Sequence, residues 1–210
     1  MYRNLAELAH AALTAESVQD ADAIPALPLR LDSATSATVA DTCIRGDLGF
    51  TLLFHRRKDS LVAEELYFST REGDGAWATA EHLSGGVMGV DPTNSRTVAT
   101  LLNSRLLMLF GESETTLFTG RPQAEEGDEL LRFYTLLVNP KAGHLGIEDT
   151  SPGADPVGDR THKPLTSHVA LFVLFPGERF TVRAMARAGA GSQLLGEPQE
   201  LTGVDPSTLA

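Results

Sequence analysis

The sequence has one cysteine, one tryptophan and only three lysines, and it has no long apolar run. A single cysteine excludes an intrachain disulfide, so nothing in the chain requires an oxidising compartment. The longest strongly apolar stretch, 169–175, is too short to span a membrane. No basic start followed by an apolar run marks a signal peptide. These absences predict a cytoplasmic protein that is not inserted in a membrane.

The sequence also lacks an excess of positive charge. Its 210 residues include 17 Lys and Arg against 28 Asp and Glu, which gives a formal net charge of −11. Attraction to phosphate-rich partners requires a net positive surface, so general nucleic-acid binding and membrane-surface binding are excluded. The apolar content is ordinary for a globular chain, and the length fits one domain or a tight pair.

The N-terminus carries the clearest helical period. Leu5, Leu8, Ala9 and Leu13 recur at the spacing of one buried stripe, which predicts an amphipathic helix. From residue 16 to 36 the composition shifts to Asp, Ala, Pro and Ser. We therefore interpret residues 1–36 as a helix followed by an extended strap.

Beyond residue 37 the pattern is that of β-structure. Runs rich in Val, Phe, Thr, Leu and Tyr alternate with Gly, Asp, Asn and Pro. This pattern predicts a mainly β domain over 37–210, an antiparallel β-sandwich or open β-barrel of about nine or ten short strands. The strands are expected near 38–45, 48–56, 62–70, 76–83, 96–102, 105–110, 114–119, 129–138, 167–175 and 179–187.

Two segments of this domain bear on function. Residues 139–166 contain four prolines and four glycines without periodicity, which predicts a long loop. Residues 167–187 are predicted to form a β-hairpin, because Phe175-Pro176-Gly177-Glu178 has the Pro and Gly of a type II turn. One face of that hairpin would be wholly apolar.

The opposite face of the predicted hairpin carries a row of cations. Arg179, Arg183 and Arg187 recur every fourth residue and so point to one side of a strand, beside His168 and Phe172. This surface would hold an anionic or amphipathic small molecule, or an acidic protein segment. The alternative is that the arginines cover the solvent side of a sheet and pair with acids on a neighbouring strand.

Motifs for metal or cofactor chemistry are missing. His144, His162 and His168 have no recognised metal-ligand spacing, so no metal site is predicted, and no cofactor is assigned. Cys43 lies in a predicted strand, where a free cysteine is usually an inert buried side chain. No catalytic residue can be named from the sequence.

The favoured hypothesis is a non-catalytic binding module that uses the arginine-bearing face. One alternative is an enzyme whose site lies at the mouth of the sandwich or barrel, covered by the 139–166 loop, with the three histidines as acid–base groups or metal ligands. Another is a subunit of a larger assembly that contacts its neighbours through the N-terminal arm. The sequence leaves a homo-oligomer open.

Overall fold

A computed structural model describes residues 5–16, 37–155, 160–186 and 194–208. The chain divides into two compact units, the first of residues 1–101 with 166–171, and the second of 102–165 with 172–210. The described elements, in chain order, are α1 (Leu5–Glu16), β1 (Ala37–Arg45), β2 (Leu48–Arg56), β3 (Val62–Thr70), β4 (Glu81–Met88), α2 (Ser95–Leu102), β5 (Leu107–Phe118), β6 (Asp128–Val138), β7 (Ala142–Asp149), β8 (Arg160–Pro164), β9 (Val169–Leu174), β10 (Arg179–Ala186), β11 (Leu194–Thr202) and a 3-10 helix (Pro206–Thr208).

The first unit is built on an antiparallel sheet of order β1-β2-β3-β4. Helix α1 packs on one face of this first sheet, where Ala9 clusters with Leu53 and Ala80. Ala9 and Leu13 are fully buried, as the apolar stripe requires. The predicted N-terminal helix is confirmed, whereas the strap predicted over 17–36 lies outside the described residues.

The segment 166–171 covers the outer edge of strand β1 and belongs to the same unit. The buried Asp41 carboxylate accepts the Leu171 N–H at 2.6 Å, and the Thr166 hydroxyl donates to the Ala40 carbonyl at 3.4 Å. A register shift between Val39 and Asp41 marks a bulge in β1 at this point. The hydrogen bonds connect residues that are about 130 positions apart in the sequence.

The second unit contains an antiparallel sheet of order β11-β10-β7-β8, which we call the second sheet. A third sheet has the order β5-β6-β9. In the second sheet, Leu145, Phe180, Val182 and Ala184 are buried on one face. The residues between them point to the opposite face, because side chains alternate along a strand.

The strand predicted over 96–102 is wrong, because these residues form helix α2. The Asn94 side chain accepts the N–H groups of Arg96 at 3.0 Å and Thr97 at 3.3 Å, which is the hydrogen bonding of a helix N-cap. Val98 and Leu102, four residues apart on one side of the helix, are fully buried. Capping and helical burial outweigh the β-propensity of the threonines and valine here.

The loop predicted over 139–166 is also corrected. Its described residues include β7 and β8, which pair antiparallel from His144–Pro164 to Glu148–Arg160. Residues 156–159, between the two strands, lie outside the described residues. The glycines and prolines of this segment interrupt the apolar pattern without preventing strand pairing.

The hairpin predicted over 167–187 has the right turn and the wrong pairing. Gly177 has φ of 82° and the Glu178 N–H donates to the Phe175 carbonyl at 3.2 Å, as in a type II turn. Strands β9 and β10 nevertheless belong to different sheets, β9 to the third and β10 to the second. All six residues of β9 are buried, so this strand has no solvent face that could carry a site.

The prediction of a mainly β, antiparallel fold with an N-terminal helix is confirmed, with 56% of the described residues in strands. In the described part of the chain none of the three sheets closes into a barrel, which leaves the sandwich-like architecture. Among the same residues no helix is long and apolar enough to cross a membrane.

Candidate functional site

The outer face of the second sheet gathers most of the polar side chains that the sequence singled out. Directly paired residues of antiparallel strands place their side chains on the same face. Strand β10 therefore shares this face with β7, and β7 with β8. The cross-strand rows, from β10 through β7 to β8, are Met185–His144–Pro164, Arg183–Gly146–His162 and Thr181–Glu148–Arg160.

The middle row forms a gap between a guanidinium and an imidazole. Arg183 and His162 lie on either side of Gly146, and neighbouring Cα atoms in such a row are about 5 Å apart. Gly146 has no side chain to fill the space between them. A Cβ atom built at Gly146 would lie 3.4 Å from the Met185 Sδ, so this thioether borders the space beside Gly146. The row therefore has a polar side chain at each end, with Gly146 and the neighbouring Met185 thioether between them.

Arg183 makes no ion pair with any side chain in the described ranges. The acids of the adjoining row have other partners. Glu148 forms an ion pair with Arg160 at 3.5 Å, and Glu200 accepts the Thr181 hydroxyl at 2.9 Å. The expected alternative, in which the arginines pair with acids of a neighbouring strand, therefore does not hold for Arg183 among these residues. Its guanidinium keeps five N–H donors in a planar array.

Two histidines lie next to each other on this face. The His144 and His162 rings pack edge to face, with centroids 5.2 Å apart and planes at 81°. Burial, and then the nearby His162, lower the pKa of His144 from its ordinary value of 6.5. The lowered pKa favours the neutral imidazole of His144, and a neutral imidazole can donate one hydrogen bond and accept another.

Three further acids of the second unit pair with other arginines. Glu112 and Glu114 on β5 form ion pairs with Arg132, and Glu129 forms one with Arg121 at 3.3 Å. The Arg121 guanidinium also lies 3.6 Å from the centroid of the Phe175 ring. Three acids of the stretch 112–129 therefore pair with arginines other than Arg183.

The structure brings only part of the predicted site together. Arg179 and Arg183 point to the outer face of the second sheet, whereas Arg187 lies outside the described residues. Phe172 is buried in β9, with 3% of its surface exposed. His168 belongs to the first unit, where it lines a small cavity with Thr38 and other residues of that unit. Burial lowers the pKa of His168.

Sequence reasoning named His144 and His162 only for an enzyme, and it missed Gly146 altogether. The signal was present, because polar and apolar residues alternate through His144-Leu145-Gly146-Ile147-Glu148, as in a half-exposed strand. No spacing in the sequence could have placed His162 in the row of Arg183, since the two are brought together by the registers of three strands.

The structure also bears on a metal site and on Cys43 as a nucleophile. Within residues 5–16, 37–155, 160–186 and 194–208, no three His, Cys, Asp or Glu side chains are arranged to hold a metal ion. Cys43 is half-buried in β1, in agreement with its predicted place in a strand.

Comparison with known proteins gives no relative for this arrangement. The chain matches no protein-family model, no curated protein sequence and no solved structure. The proposed function therefore depends on the chemistry of the outer face of the second sheet.

Proposed function

We propose that the protein is a non-catalytic binding module that holds a small anionic ligand on the outer face of the second sheet. The observation that carries this proposal is Arg183, a half-buried cation with no acidic partner among the described residues, beside the gap at Gly146. In a chain of net charge −11, such a cation is unusual. An uncompensated, partly desolvated guanidinium is stabilised when an anion binds it.

The geometry favours a ligand with a carboxylate or phosphate group. A guanidinium donates two parallel hydrogen bonds to such a group, and His162 stands on the far side of the same row as a second donor. The Met185 thioether beside Gly146 suits an apolar portion of the ligand. The ligand class is thus an organic oxyanion with a short apolar body.

An enzyme covered by a lid has less support. That hypothesis used residues 139–166 as a mobile cover, but β7 and β8 in this segment are part of the sheet itself. It also used three histidines together, whereas His168 belongs to the other compact unit.

Assembly through the N-terminal helix also has less support. The apolar stripe of α1 is used within its own unit, with Ala9 and Leu13 fully buried. A homo-oligomer and a cytoplasmic location stay predictions from the sequence.

An NMR titration of the full chain tests the proposed ligand site. Phosphate and citrate serve as small probes, and a hexaglutamate peptide serves as an acidic protein segment. We expect citrate to shift the resonances of Arg183, Gly146 and His162. Arg183→Gln is expected to weaken binding about tenfold or more, since a hydrogen-bonded ion pair contributes about 1.5–3 kcal/mol.

Arg160→Gln is the matched control, because it removes the same charge from the same face. Arg160 is exposed and already paired with Glu148, so its loss is expected to change the affinity less than threefold. Equal weakening by the two variants would show that only overall charge matters, and the proposal would be wrong. Binding of hexaglutamate but not of citrate would replace the small ligand by an acidic protein segment.

A further inference from the structure

The outer edge of β4 is an open strand edge in the first unit. β4 is the last strand of the first sheet, and it pairs only with β3 among the described strands. Residues 84–88, Ser-Gly-Gly-Val-Met, carry no charge and no proline, which are two common means of blocking such an edge. Gly85, Gly86 and Val87 are exposed, and Val87 has 50% of its surface accessible. Its unpaired backbone groups can accept another extended chain.

Two consecutive glutamates lie directly behind the two glycines. In the register of β3 and β4, Glu65 pairs with Gly85 and Glu64 pairs with Gly86. Consecutive residues of a strand point to opposite faces, so one carboxylate flanks β4 on each face of the sheet. The absence of side chains at Gly85 and Gly86 leaves both carboxylates reachable from the open edge.

Glu65 is held in place over Gly85. Its two carboxylate oxygens accept hydrogen bonds from His55 Nε2 at 3.0 Å and from His82 Nε2 at 2.8 Å. A Cβ atom at Gly85 would lie only 2.1 Å from Glu65 Oε2, so the carboxylate occupies the space that any side chain there would need. These two hydrogen bonds fix the orientation of the carboxylate.

Glu64 lies on the other face and is half-buried. Burial, and then the charge of Glu65, raise its pKa. Glu64 forms no ion pair with the described side chains, and nothing lies within 4 Å of a Cβ atom built at Gly86. A cation placed over Gly86 would therefore meet a carboxylate that has no ion-pair partner among the described side chains.

We propose that the open edge of β4 binds an extended segment of a partner protein that carries two successive basic residues. The segment adds a strand to the first sheet through backbone hydrogen bonds. Its two basic side chains then point to opposite faces, one over Gly85 towards Glu65 and the other over Gly86 towards Glu64. Strands lie about 4.8 Å apart, so a Lys or Arg side chain spans the glycine and reaches the carboxylate behind it.

Charge complementarity selects this partner over a second copy of the chain. Between Glu81 and Met88 the strand has no Lys or Arg, so pairing of two β4 strands would bring no permanent cation to Glu64 or Glu65. The same pairing would place the two pairs of glutamates near each other.

The test uses the full chain and a fluorescein-labelled peptide, Thr-Val-Thr-Lys-Arg-Thr-Val-Thr. A matched peptide with Gln-Gln at the centre is the probe control. We expect the basic peptide to bind at least tenfold more tightly by fluorescence anisotropy, with an affinity that falls as NaCl is added. Hydrogen exchange is expected to slow at the backbone amides of 81–88 when the basic peptide binds.

Two glycines provide matched variants. Gly86→Lys puts a cation across Glu64 from within the chain, and we expect it to weaken peptide binding at least tenfold. Gly89→Lys makes the same charge change just beyond β4, where a Cβ atom also has open space, and should change the affinity less than twofold. Glu64→Gln, which keeps the side-chain shape, should weaken binding at least fivefold.

Several results would overturn the proposal. These are equal affinity for the two peptides, unchanged affinity in Gly86→Lys, or slowed exchange confined to residues outside β4. Concentration-dependent dimers, with β4 protected in the absence of peptide, would assign the edge to a second copy of the chain instead. None of these measurements depends on Arg183, so this proposal and the proposed anion site can fail separately.

Discussion

Each compact unit places a glycine beside a charged side chain in a sheet, Gly85 in the edge strand β4 and Gly146 in the inner strand β7, and the two glycines differ in what lies over them. In the first unit the Glu65 carboxylate lies over Gly85, at the position where a side chain would begin. In the second unit Gly146 stands beside Arg183, and the nearest atom to a Cβ there is the Met185 Sδ at 3.4 Å. The space over Gly85 is taken by a carboxylate of the same chain, whereas a Cβ atom at Gly146 would make only ordinary contacts.

The largest expected effect is the difference in unfolding free energy between the two alanine variants of these glycines. Gly85→Ala places Cβ 2.1 Å from Glu65 Oε2 and 3.0 Å from the Glu64 carbonyl oxygen. The Glu65 carboxylate must then leave the position in which two imidazoles hold it. We expect a loss of about 1–3 kcal/mol of unfolding free energy, as for other overpacked sites. Gly146→Ala meets only ordinary van der Waals contact and should change stability by about 0.5 kcal/mol or less. Urea denaturation of both variants measures the difference, and equal losses would contradict it.

Removing the charged partner of each glycine is the second test. Glu65→Ala takes away the acceptor of two imidazole N–H groups, one of them on His55, whose side chain is only 12% exposed. We expect a loss of about 1–2 kcal/mol, because a buried donor is left without its acceptor. Arg183→Gln removes a side chain without a described partner and should stay within about 0.5 kcal/mol of the parent. If Arg183→Gln costs as much as Glu65→Ala, Arg183 has a structural role and the comparison fails.

The smallest expected effect is on the pH dependence of stability, for which each unit has one suitable histidine. Burial lowers the pKa of His168 in the first unit, and burial with the nearby His162 lowers that of His144 in the second. The unfolded chain then binds these protons at a higher pH than the folded chain does. Stability is therefore present above the ordinary pKa of 6.5 and is lost as pH falls through the lower folded values.

His144→Gln and His168→Gln are expected to flatten this pH dependence, each in proportion to its own histidine. The check is the urea midpoint of each variant between pH 7.5 and pH 5. A slope identical to that of the parent in both variants would show that other groups govern the acid response.

The sequence predicted correctly some elements whose formation depends on a local pattern of residues. Strand β2 was predicted over 48–56 and is found at Leu48–Arg56. On one face of this strand Thr51 and Leu53 are fully buried because α1 covers them, and the Thr51 hydroxyl donates to the Ala9 carbonyl. The helix stripe predicted which residues would be buried, but not which face of which strand would cover them.

Strand partners were beyond the reach of the sequence. The turn at Pro176 and Gly177 was predicted correctly, yet the strands on either side of it enter different sheets. A turn fixes the local path of the chain, while the pairing of β10 with β7 and β11 is decided by burial of faces far apart in the sequence. For the same reason alternation placed Arg179 and Arg183 on one face, but only the observed register placed Gly146 and His162 beside Arg183.

The hydrogen bond between Asp41 and the Leu171 N–H has a consequence for the order of folding. During synthesis, the first 101 residues leave the ribosome long before the segment 166–171 that completes their unit. The outer side of β1 must wait for some 130 further residues, and contacts of such long sequence separation slow folding. The first unit is thus completed only after most of the second has been made, and a fragment ending near residue 101 would lack the segment that covers the outer side of β1.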